Sequence, residues 1–196
     1  MNQILLAALL ATGCDDAPSR PPREPPAPPE RPAAPAPVHT GTLRFTAPDG
    51  WISEAPSSAM RQAQFRAPRA DGDSEDAELA VFHFGAGLGG SVEANLDRWV
   101  AQIAQPDGTD SHARTKIDHR EVRRMPVTIL DVSGTYVASS MPGAPVHGDQ
   151  SGFRMLAAVV ESPAGPWFVK LVGPARTVEK WEAAFGEYVD SATLGP

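Results

Sequence analysis

The chain carries one cysteine, Cys14, in 196 residues, so no intrachain disulfide forms and no multi-cysteine metal site is available. It also lacks any cluster of lysine and arginine. Seventeen basic side chains stand against 24 acidic ones, a formal charge of −7. That balance gives no positive field to hold phosphates, which excludes nucleic acid as a partner and disfavours electrostatic binding to anionic lipid. Long hydrophobic runs are missing as well. A membrane span needs about 20 apolar residues in a row, and the best candidate, residues 4–13, is ten long. The serine-nucleophile signatures G-x-S-x-G and S-x-x-K are absent. Without crosslinks, the fold depends on a hydrophobic core, and apolar residues make up 41% of the chain.

Proline divides the sequence. Ten of the 21 prolines fall in the 22 residues 17–38, where no bulky hydrophobe appears before Val38. Such a stretch cannot bury enough apolar surface to fold. As polyproline II at about 3.1 Å per residue, residues 15–39 would extend roughly 75 Å, a semi-stiff spacer. Ahead of it, Ile4-Leu5-Leu6-Ala7-Ala8-Leu9-Leu10-Ala11 is a short apolar run that ends in small residues just before the lone cysteine. This N-terminus resembles the signal of bacterial lipoproteins, with Leu10-Ala11-Thr12-Gly13-Cys14 as the lipobox. Ala11 stands where that family usually has leucine, and Met1-Asn2-Gln3 carries no basic residue. The resemblance implies cleavage after Gly13 and acylation of Cys14, and several acyl chains on one residue anchor stably. The expected division is therefore a leader at 1–13, a lipidated cysteine and disordered proline-rich stalk at 14–39, and a globular domain at 40–196. The expected location is the cell envelope, facing the periplasm, with the membrane as one partner through the lipid and an envelope protein as another.

The remainder holds all four tryptophans and all seven phenylalanines. Alternating or β-rich stretches predict strands at 42–47, 60–67, 77–84, 116–124, 127–138, 152–161 and 167–172. Ser162-Pro163-Ala164-Gly165 reads as the hairpin joining the last two. Ser91 is an N-cap for a helix to about residue 105, with Val92, Leu96, Trp99, Val100 and Ile103 on one stripe. A second helix starts at Thr177 and carries Val178, Trp181, Phe185, Tyr188 and Val189 on one face. The order of three strands, helix, four strands and helix, with short connections, predicts an α+β fold: a mostly antiparallel sheet with two packed helices, an αβα sandwich. The opening Phe45-x-x-Pro48-x-Gly50-Trp51 and this element order resemble the PsbP/Mog1-like group of αβα sandwiches. That resemblance implies a binding or accessory module and carries no catalytic residues with it.

Individual motifs point in several directions. Residues 85–90 spell G-x-G-x-x-G between a strand and a helix, but the strand carries Glu78 and His83 where a buried parallel strand would be apolar, and Glu93 would repel a phosphate. No cofactor is expected. Asp71, Asp73 and Glu75 begin like a calcium loop, yet Asp76 replaces the turn glycine and Phe82 the bidentate glutamate. They remain candidate ligands of a calcium-stabilised module, or polar residues of a hairpin loop. No two histidines share the close spacing of a zinc pair. Ser139 and Ser140 border a Pro/Gly loop containing His147 and Asp149, which gives either an adaptable partner-binding loop or a loop-built hydrolase site. Lys170 shares a strand side with Phe168 and Val172. If Glu161 pairs with Pro166, Lys170 faces Ala157, and its amine needs a counter-charge from Asp131 or Glu161. It is a candidate ligand contact, or a lysine snorkelling to solvent.

Overall fold

The computed structural model describes residues 38–40, 43–137 and 150–195. In chain order the strands and helices are β1 Val38–Thr40, β2 Leu43–Phe45, β3 Ile52–Glu54, β4 Arg61–Ala67, β5 Ala77–His83, α1 Val92–Val100, β6 Ile103–Ala104, β7 Lys116–Val122, β8 Met125–Tyr136, β9 Gln150–Ser162, β10 Gly165–Pro174, α2 Ala175–Lys180, α3 Glu182–Asp190 and β11 Thr193–Leu194. An eight-stranded sheet runs β3-β4-β5-β10-β9-β8, with β7 and β6 sharing the far edge of β8, and β1-β2-β11 form a small second sheet. Every pairing in both sheets is antiparallel.

Alternation along β9 builds both faces of the large sheet. Leu156, Ala158 and Val160 join one apolar cluster with Val178, Phe185, Tyr188 and Val189 of α2 and α3. Met155, Ala157 and Val159 join another with Leu96, Trp99 and Val100 of α1. A period of two puts successive side chains on opposite faces, so a strand covered by helices on both sides reads as a continuous apolar run. The result is the expected αβα arrangement.

The structure corrects the expected elements at their ends. Helix α1 stops at Val100, where Ala101 donates its N–H to Asp97 O, and Ile103 instead starts β6. Ile103 stays in the α1 cluster all the same, because pairing with Tyr136 supplies its backbone bonds. The second helix is two, broken at Trp181 (φ −104°, ψ 7°), whose Nε1–H donates to Pro68 O at 2.8 Å. The first predicted strand belongs to the small sheet and sends Leu43 and Phe45 into the α2–α3 core.

Two turns are set by unusual backbone. Gly165 opens β10 at φ +110°, and a Cβ there would lie 2.4 Å from Gly85 O, so only glycine fits. The turn joining β7 to β8 puts Arg123 and Arg124 at φ +48° and +66°, where Asn-Gly is the usual choice. Arg123 ties that turn to the end of α3 by donating to Asp190 O at 2.6 Å and Ala192 O at 3.0 Å.

Candidate functional site

Lys170 occupies the middle of β10, with Ala157 of β9 on one side and Ala80 of β5 on the other. The pairing Glu161↔Pro166 holds, so its facing residue is the expected one. Two alanines leave room for the lysine stem. The amine donates to Gln102 Oε1 at 3.1 Å and sits 5.8 Å from the centre of the Tyr136 ring. Gln102 is itself fixed, since its N–H donates to Trp99 O and its carbonyl accepts from Val137 N–H.

The counter-charge is not either of the expected residues. Asp131 points to the opposite face, where both its oxygens accept from Arg154 at 2.8 and 2.9 Å. Glu161 lies at the hairpin end of β9, four residues beyond Ala157. The acid that acts on Lys170 is Glu78, which lies diagonally across the β5–β10 pair, opposite Val172. Glu78 pairs with Arg61 at 2.8 Å, and Gln64 bridges it to Glu54. Lys170 thus stands on a seam: the α1 side of the sheet is apolar under the helix and a polar ladder over β3–β5.

Desolvation pushes the Lys170 amine down to about 8, against an upward pull from Glu78 and a further downward push from Arg61. Burial also raises the Tyr136 phenol. The linkage sign follows. A lysine whose folded value lies below its unfolded one costs stability while both states are protonated, and that cost fades as pH rises from about 8 towards 10.5. Lys170→Met is therefore expected to raise Tm at pH 7, with its advantage over wild type shrinking across that window; melting curves at pH 7 and pH 10 measure it.

A second feature lies on the same face. Helix α1 overhangs a cleft of about 760 Å³, with Val92, Glu93 and Leu96 on one wall, Ile117 and His119 of β7 on another, and Glu161 at the hairpin end. The helix starts at Ser91, whose Oγ caps Ala94 N–H. Ile117 is half exposed at 50%, and His119 Nδ1 shares a hydrogen bond with Thr128 Oγ1 at 3.1 Å. The lining mixes apolar Val92, Leu96 and Ile117 with polar Ser91, Glu93, His119 and Glu161. Nothing in the sequence separates Ile117 from the other apolar strand positions, because its exposure comes from the reach of a nine-residue helix that leaves β7 uncovered.

The acidic loop does structural work. Asp73 Oδ2 accepts from Thr177 N–H at 2.8 Å and Thr177 Oγ1 at 2.6 Å, which caps α2 from over 100 residues away. Glu75 accepts from Gln150, and Asp76 holds Arg66 at 2.7 Å, whose hydrogen bond keeps the Asp76 carboxyl below its ordinary range. Among the described residues, no three of His, Cys, Asp and Glu, Asp71 included, converge to hold a metal. Asp73→Ala is expected to cost about 1–2 kcal/mol in urea unfolding, the loss of a cap whose buried donors stay unpaired. His83 stacks on Trp167 at 4.2 Å and is part of the packing. The glycine-rich loop follows an antiparallel strand, and Asn95 Nδ2 holds it through Gly89 O at 2.9 Å. Cys14, Ser140, His147 and Asp149 lie outside the described residues.

No family model and no curated protein matches the sequence. Solved structures do. LpqN of Mycobacterium tuberculosis, described as involved in cell envelope biogenesis, matches with a TM-score of 0.50 and 12% identity over 82% of this chain and 90% of that one. The likeness is one of fold. A cyanobacterial PsbP, CyanoP of Synechocystis sp. PCC 6803, matches at 0.46 and 13%, over 81% of this chain and 95% of its own. PA94 of Pseudomonas aeruginosa, a protein of unknown function, matches at 0.45 and 11%, over 78% and 92%. Among the described residues, no helix is long and apolar enough to cross a membrane.

Proposed function

We propose that this chain is an extracytoplasmic binding or accessory domain, held to the membrane by acylated Cys14 and carried on the proline-rich segment that follows. The cleft beside α1 carries the binding half of this reading. It is recessed, of a size that suits a small ligand or a partner side-chain cluster, and one of its walls carries Ile117, an apolar side chain left half exposed. The anchoring half is supported by the sequence up to Cys14, and LpqN, which shares the fold, is a protein of cell envelope biogenesis.

A photo-crosslinking residue at position 117 tests the cleft: in native envelopes it should yield a discrete adduct that the same probe at Glu187, exposed on α3 across the sheet, does not. Equal or absent adducts at both positions count against the cleft. The anchor is tested separately. Wild type is expected in the membrane fraction and Cys14→Ser in the soluble fraction, whereas wild-type chain that stays soluble with Met1 to Gly13 retained would overturn anchoring.

A further inference from the structure

One row of side chains on the α1 face of the large sheet is left uncovered, and strand register identifies it. Glu161 pairs with Pro166 of β10. Pro126, one step before the Val127↔Val160 pair, comes beside Glu161 on β8 and pairs in turn with Glu121 of β7. On the other side Phe84 follows His83, which pairs with Trp167, so it reaches Pro166. The row therefore reads Phe84, Pro166, Glu161, Pro126, Glu121. It lies on the α1 face because Phe84, Pro166, Glu161 and Pro126 stand an even number of residues from Phe82, Phe168, Val159 and Leu130 of the α1 cluster. Those four pack with the helix. In the row itself Pro166 is half-buried and the rest are exposed, Phe84 at 39%.

We infer that this row docks an extended, proline-containing segment of a partner protein, with an apolar residue on Phe84 and an arginine or lysine at the third and sixth positions after it. Such docking rests on the cleft reading, since Pro126, Glu161 and Pro166 line that cleft. Charge selects the occupant. Among the described residues neither Glu161 nor Glu121 forms an ion pair, and no lysine or arginine belongs to the row. Arg120, next to Glu121 in sequence, is held by Asp190 at 3.0 Å, and Glu93 of α1 adds a third carboxylate to the cleft. Spacing selects the conformation. Neighbouring strands lie about 4.8 Å apart, which sets Glu161 about 10 Å from Phe84 and Glu121 about 19 Å from it. Polyproline II has three residues per turn and advances about 3.1 Å per residue, so side chains at i, i+3 and i+6 share one side at about 9 and 19 Å. An added β-strand would repeat on one side at about 6.7 Å and lose step at Glu161. Phe84 and the two proline rings supply the apolar surface on which such a segment lies, and the carboxylates suit a guanidinium.

The test measures, by fluorescence anisotropy at low salt, binding of the labelled peptide amide Leu-Pro-Pro-Arg-Pro-Pro-Arg to the purified full chain. Saturable binding is expected, and it should weaken about fivefold when the same residues are reordered as Leu-Pro-Pro-Pro-Pro-Arg-Arg. Glu161→Gln and Glu121→Gln should each weaken it about threefold, and Glu187→Gln, on the far face, not at all. Register is read by a cycle: with the last arginine of the peptide replaced by alanine, Glu121→Gln should lose its effect and Glu161→Gln keep it. Equal binding of the two peptide orders overturns the proposal, as does an effect of Glu121→Gln that persists without the last arginine. A peptide that does not bind overturns it too, and where position 117 still gives its adduct in envelopes, the cleft stands and only this occupant falls.

Discussion

Gly165→Ala is expected to lower stability by about 3 kcal/mol, combining the strain of a left-handed alanine with overpacking against Gly85. For a domain of this size that is a fall in Tm of roughly 10 °C. The reasoning is geometric. At φ +110° an L side chain is strained whatever the space around it, and the added methyl would sit 2.4 Å from Gly85 O and 2.8 Å from Ala86 N, both backbone atoms that cannot rotate away. The β9–β10 hairpin and the β5–α1 loop would have to separate, which pulls on Trp167 two residues later, a side chain with no exposure at all. Melting by circular dichroism gives the answer, and a loss under about 1 kcal/mol would show that the two loops are free to part.

Asp131→Ala should be nearly as severe, at about 3 kcal/mol, because it leaves the half-buried Arg154 guanidinium short of its main partner. Arg154 is 14% exposed and Asp131 22%, and their two hydrogen bonds run in parallel at 2.8 and 2.9 Å. That bidentate bond is the foremost reason the guanidinium is held protonated more firmly than usual. Glu182, at 54% exposed, also binds Arg154, but an exposed carboxylate cannot replace the lost one. The decisive comparison is the double variant Asp131→Leu with Arg154→Met. Removing both charges should cost about 1 kcal/mol or less, far below the single change. If the double variant is as unstable as Asp131→Ala, the pair is packing and not charge.

How much of this was legible in advance depends on distance along the chain. Alternation in residues 77–84 and the apolar run 155–160 within residues 152–161 point to β5 and β9, since such patterns are local. The hairpin at residues 162–165 fixed the β9–β10 register, so Lys170 opposite Ala157 could be read without a structure. Glu78 could not. It lies 92 positions before Lys170, and nothing short of the β5–β10 pairing brings them together. The same holds for Asp73, which reads as a loop carboxylate and turns out to cap a helix 104 residues away. Strands of two or three residues, β3, β6 and β11, are too short for any periodic signal and exist because a longer neighbour offers them bonds. Helix α1 ends short of the length its apolar stripe predicts for a related reason: Ile103 fits the helical stripe and the strand equally well, and tertiary pairing decides.

The outermost strands of the large sheet, β3 on one side and β6 with β7 on the other, carry a consequence for how copies of this chain behave side by side. An open strand invites a neighbour to zip onto it, and crowding on a surface would make that encounter frequent. Here one rim is only three residues long, and the other is divided between two-residue β6 and seven-residue β7, which presents Lys116, Asp118, Arg120 and Glu121. Fibre-like stacking is thereby discouraged on both flanks, and molecules packed densely together should stay individually folded.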